Sequence, residues 1–215
     1  RMDSMSKPLH AGHAAEAGVT AALAAAEGVT GSLDVIEGEA GYGRAMGDGP
    51  DWEKALATLG RDFHITRMTF KNHACCGHTF AAIDGALALQ AKMNLRPADI
   101  ERVEVGTYRA GVEVAHYEAP RTPAEARFSL KYVVATALTH GSVRLAAFQA
   151  ERMADPDTQA LMKKISVSLD EGLDAAFPRQ RAARVAIQPR LSMPPAAAGA
   201  GASATASSAP AATCA

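Results

Sequence analysis

The chain has 215 residues, of which 48% are hydrophobic and 21% charged, with a formal net charge of −1. This is the composition of a globular protein with one large domain or two small ones. The balanced charge argues against nucleic acid or an anionic membrane surface as a partner. No apolar run reaches bilayer length and no signal-peptide pattern opens the chain. Three cysteines, two of them adjacent, make no disulfide framework, so a reducing cytoplasm is the expected compartment.

In chain order, residues 1–60 are rich in Ala and Gly. Leu9, Ala14, Ala17, Ala21 and Ala25 recur at helical spacing, and Gly28 follows as a stop. Small residues on such a helix allow neighbouring helices to approach closely. "GDGPDW" (47–52) reads as a turn, with Asp51 opening a short helix that ends near Gly60.

Residues 61–188 read as mixed α/β. "HITRMTF" (64–70) alternates as a strand does, and Phe80, Ile83 and Leu87 then give a helix to about Met93. "IERVEVGTY" (100–108) alternates again. Ser129 is placed to cap "LKYVVATALTHG", with Gly141 after its end. Residues 145–153 and 157–164 predict helices, and 165–170 and 184–188 predict strands. Low aromatic content and these long helices favour an α+β fold over a closed barrel. From 189 to 215 the chain is an Ala/Pro/Ser tail with no charge after Arg190, and disorder is expected there. Cys214 in this tail is expected to be inert.

The densest chemistry is "FKNHACCGHTF" (70–80). A zinc site would use His73, Cys75, Cys76 and His78, but the distant second ligand pair of a structural zinc site is missing and adjacent cysteines diverge. A reactive thiol would need a depressed pKa in an electropositive, exposed setting, whereas a buried packing cysteine is the commoner state. A third reading is a strand that turns into a helix start. Free backbone N–H groups there, with Lys71, His73 and His78 around them, would form a carboxylate-binding corner. From spacing alone a solvated loop competes with it.

"SKPLHAGHAA" (6–15) puts Lys7 and His10 at a helix start, where an anionic substrate would offset their charge; a packing histidine is the simpler reading of His10 or His13. Arg127 in "PRTPAEARFSL" (120–130) could clamp a carboxylate or pair with Glu125. His140 reads as a helix C-terminal cap.

Five stretches in this order resemble the MmgE/PrpD family, which contains 2-methylcitrate dehydratases, cis-aconitate decarboxylases and an iminodisuccinate epimerase. They are "MSKPLHAGHAAEAGVTAALAA", "GPDWEKALATLG", "MTFKNHACCGHTFAAIDGALAL", "IERVEVGTY" and "PRTPAEARFSLKYVVATALTHGSVRLAAF". The resemblance implies an α+β protein: the C-terminal part of a helical domain (1–60), an α+β lid domain (61–188), then the disordered tail. It also implies a cleft active site between domains and a homodimer. On this resemblance Lys7, His10 and Lys71 are the catalytic candidates, and His73, His78 and Arg127 the substrate-binding ones. Cys76 falls near a position that is histidine in the decarboxylases. Their lid tyrosine has no clean counterpart in Tyr117, which argues against decarboxylation.

The implied activity is a cofactor-free lyase, needing no metal, that acts on a small di- or tricarboxylate as 2-methylcitrate dehydratase does. Decarboxylation or epimerisation is the alternative within the family. Members are much longer, and their N-terminal helical half, with its acidic and histidine site residues, has no counterpart here. A truncated or frame-shifted reading frame, and with it a non-catalytic fragment whose first 60 residues expose apolar faces, is the competing expectation. A metal- or redox-binding module built on Cys75 and Cys76 is a third.

Overall fold

A computed structural model describes residues 4–190 and the backbone of residues 203–208. It divides into two compact units, one reaching Met68 and the other starting at Thr69.

The first unit is helical. α1 (Ser6–Ala26) ends where Gly28 turns at φ +89°, a left-handed conformation that only glycine adopts without strain. None of α1's residues is buried. Leu9, Val19 and Leu23 are exposed by 68%, 62% and 65%, so the apolar content expected to pack against other helices lies open. α2 (Tyr42–Met46) and α3 (Trp52–Leu56) are single turns. They are tied by Gly43, where a Cβ would come within 2.4 Å of the Trp52 ring. Asp51 caps α3 as its spacing predicts, its carboxylate accepting the Lys54 N–H. Residues 64–70 are not the expected strand: a 3₁₀ turn forms at His64–Arg67. The alternation is real, but among the described residues no strand pairs with it, and Ile65, Met68 and Phe70 stay exposed.

The second unit carries the core. α4 (Phe80–Met93) ends at Asn94 in the left-handed region. β1 (Ile100–Thr107) is followed by α5 (Arg109–Val114), α6 (Pro123–Ala126), α7 (Leu130–His140), α8 (Ala150–Met153) and α9 (Pro156–Met162). β2 (Ile165–Leu169), α10 (Glu171–Ala176), β3 (Arg181–Pro189) and β4 (Ser203–Ser208) complete it. The helix expected over 145–153 is instead a 3₁₀ turn at Leu145–Phe148 followed by α8.

The sheet order is β2-β1-β3-β4. β1 runs parallel to β2 and antiparallel to β3. Register stacks Ile165, Val103 and Ile187 in one row and Val167, Val105 and Val185 in the next. Because side chains alternate along a strand, these rows share one face. Val103, Val105, Val185 and Ile187 are buried there together with Ile83, Leu89, Val133 and Leu138 from α4 and α7. The other face is polar, with Arg102 and Glu104 paired at 2.9 Å.

Two capping expectations are met. Ser129 Oγ accepts the Tyr132 N–H, and Gly141 takes φ +73° after α7. Residues 203–208 of the tail form β4, which pairs antiparallel with β3. A Ser/Thr/Ala stretch has no core pattern to announce this, but an edge strand offers backbone groups that any chain can bond. Residues 191–202 and 209–215, with Cys214, lie outside the described residues.

Candidate functional site

The 71–79 loop enters the core through its backbone. The Ala74 N–H donates to the Val143 carbonyl and the Cys76 N–H to the Arg127 carbonyl. These bonds to the chain on either side of α7 fix the loop, and its end winds into a 3₁₀ turn (Gly77–Thr79) that runs into α4. The local conformation is therefore turn to helix, as expected, but without a strand before it.

Three of the four residues of the zinc reading have separate side-chain partners. His73 is buried, with Nε2 2.8 Å from Asp84 Oδ1 and its ring edge-on to Phe80. Cys75 is 3% exposed and its Sγ lies 3.2 Å from Thr79 Oγ1. His78 Nδ1 lies 2.8 Å from the Tyr108 hydroxyl. Cys76 is buried at 8% exposure. Among the described residues, no group of three or more His, Cys, Asp or Glu side chains comes together as a metal would require. Burial pushes the Cys75 thiol up to about 12, the reverse of what a nucleophile needs.

Charge and hydrogen bonding are more informative. Lys71 is exposed and its ammonium donates back to the Cys75 carbonyl at 3.4 Å, so the cation is folded over the turn. His78 is half-buried against an aromatic wall: Tyr108 stacks on Phe177 at 4.6 Å and 14°, and both rings lie near the imidazole. Burial, and then the positive charge of Arg181, hold His78 below its ordinary pKa of 6.5. It is therefore the neutral imidazole at pH 7. Burial pushes the Tyr108 hydroxyl up to about 12, so it keeps its proton throughout the physiological range. A neutral base and a protonated acid, 2.8 Å apart, can receive and return a proton.

Arg127 does not pair with Glu125. Its guanidinium lies 5.1 Å over the Phe148 ring, and the Glu125 carboxylate accepts the Arg121 N–H. Lys7 and His10 lie on exposed turns of α1, in the other unit. The structure thus brings Lys71 and His78 into one loop, uses His73 and Arg127 in packing, and adds Tyr108 and Arg181. Tyr108 escaped the sequence reading because it ends an alternating strand and looks like core. Its position one residue past β1 and thirty past His78 gives no local signal. Arg181 opens β3, beyond every motif considered.

The second unit is a four-stranded α+β domain with its basic and titratable loop at the entry to a core helix. Residues 73–190 match the MmgE/PrpD C-terminal domain, and residues 1–55 match the MmgE/PrpD N-terminal domain. The chain belongs to the MmgE/PrpD family. No curated protein matches it. Among the described residues no helix is long and apolar enough to cross a membrane.

Proposed function

We propose that the chain carries the lid part of a cofactor-free carbon–oxygen lyase acting on a small di- or tricarboxylate, of the 2-methylcitrate dehydratase type. In this reading residues 1–60 belong to the helical domain, residues 61–188 form the lid, and the working assembly is a homodimer. The observation that carries it is the loop in which the Lys71 ammonium covers the turn and His78 shares a hydrogen bond with Tyr108.

The chemistry follows from the charges. Dehydration removes a proton beside a carboxylate, builds negative charge on the carboxylate oxygens, and expels hydroxide as water once an acid protonates it. A C=C bond forms as the C–H and C–O bonds break. Lys71 stabilises the developing charge, and Lys7 and His10 of the helical part are the candidates for a second carboxylate. Neutral His78 accepts the proton at Nε2 with its Nδ1–H donating to the Tyr108 oxygen, and Tyr108 gives its own proton to the departing hydroxyl and regains one from His78 Nδ1. His73, locked to Asp84, orients the loop rather than reacting.

Tyr108 also favours a second reading. A protonated tyrosine beside a neutral histidine can hand a proton to the carbanion left by loss of CO₂, so decarboxylation of a cis-aconitate-like acid is the alternative. Calorimetric titration with 2-methylcitrate and cis-aconitate tests the site: binding that weakens at least about tenfold in Lys71→Ala is expected for a charge-assisted contact. Equal binding by both proteins refutes the assignment.

A further inference from the structure

A separate cluster of unneutralised charge sits at the C-terminal end of α7. A cavity of about 60 Å³ opens there, lined by Thr136, His140, Ser142, Arg144 and Arg152 among others. A single water needs only about 10–15 Å³ on this measure, so the space admits a small polyatomic ligand. Among the described residues neither guanidinium pairs with a carboxylate: Arg144 donates to the Asn72 carbonyl at 2.7 Å, and Arg152 to His140 Nδ1. Each spends one N–H and keeps the rest of its fork.

The acidic group nearby is already engaged. Asp155 accepts from Thr158 Oγ1 at 2.6 Å and lies 3.2 Å from His140 Nε2, and the Thr158 bond holds its carboxyl below the usual range. His140 is thereby held with Nε2 toward Asp155 and Nδ1 accepting from Arg152. The α7 C-terminus, where the helix dipole favours positive charge, accounts for Arg152 alone. It does not account for Arg144, nor for Thr136. Thr136 is 1% exposed, and its hydroxyl has no hydrogen-bond partner. The neighbouring Tyr132 hydroxyl donates to the Ala147 carbonyl, and Thr136 Oγ1 lies near it without a hydrogen bond of normal geometry. A buried hydroxyl left unpaired costs about 1–3 kcal/mol, so its place on the wall of a cationic cavity calls for an acceptor.

We propose that this cavity binds a phosphate-class oxyanion, held between the Arg144 and Arg152 guanidiniums with the Thr136 and Ser142 hydroxyls as further donors. Donors arriving from a helix, the following loop and α8 suit a tetrahedral group better than a planar carboxylate. The site uses none of the residues assigned to the lyase reaction.

The test is calorimetric titration of the full chain with inorganic phosphate in chloride buffer. One saturable site is expected, weakened about tenfold or more in Arg144→Gln and in Arg152→Gln, and unchanged in Arg102→Gln on the polar sheet face. Ser142 is exposed, so Ser142→Asp leaves the fold intact by circular dichroism and is expected to abolish binding by charge repulsion. No saturable uptake, uptake retained in both arginine variants and in Ser142→Asp, or tighter binding of acetate than of phosphate would overturn the proposal.

Discussion

Replacing Tyr108 by Phe removes one atom from the candidate site and little else. The ring still stacks on Phe177 at 4.6 Å, so the aromatic packing survives. What is lost is the 2.8 Å bond to His78 Nδ1, in a half-buried setting where water replaces it poorly. A net bond contributes about 0.5–1.5 kcal/mol, and leaving its partner unpaired costs about 1–3 kcal/mol. With His78 only half-buried, the lower part of that range applies, about 1–2 kcal/mol. For a domain of this size that is a fall in Tm of about 2–8 °C. If Tyr108 transfers a proton, kcat falls by about 10²-fold or more while KM moves little. Burial remains the main cause of the depressed His78 pKa, so NMR titration of the imidazole still finds it below 6.5 in the variant. The reasoning is refuted if Tm and kcat both stay at their wild-type values.

Other consequences are open to measurement. Arg181→Gln removes the positive charge that opposes His78 protonation, so the imidazole titrates closer to 6.5. Because the folded His78 resists a proton that the unfolded chain accepts, the stability it contributes is present above pH 6.5 and lost as pH falls through the folded value; urea midpoints measured downward from neutrality should show that loss, and His78→Gln should flatten it. Ser129→Ala strips the α7 cap and the 2.5 Å bond from Ser129 Oγ to the Tyr117 carbonyl, at a fully buried position. A loss of about 2 kcal/mol in chemical denaturation is expected. Cys75, buried with its thiol up at about 12, should resist iodoacetamide in the native protein and react at the ordinary rate in urea. Rapid native labelling of Cys75 would contradict the burial argument.

The fold was legible where pattern and punctuation coincide. Ser129 and Gly141 bracket α7, and the Val103–Val105 alternation marks β1, because a cap and a buried face each leave a local trace. The expected strand at 64–70 had the alternation but no partner, and pairing is a property of the whole chain. β4 showed the converse: backbone pairing with β3 and no side-chain pattern to read. At the site, Lys71 and His78 stood out by their charge and proximity in sequence. Arg127 stood out equally, yet stacks on Phe148, since a cation's partner is set by the tertiary fold. Tyr108 and Arg181 were invisible for the same reason: what singles them out is their distance from His78, not their own sequence context.

The central claim is that Lys71 stabilises charge on a substrate carboxylate. The most direct test follows the absorbance of the conjugated double bond as 2-methylcitrate is dehydrated by wild type and by Lys71→Ala, with folding matched by circular dichroism. The account predicts turnover by the wild type and a loss of about 10²–10³-fold in the variant, the usual cost of removing one charge-stabilising donor. Undiminished turnover in Lys71→Ala, or none in the wild type, would contradict it.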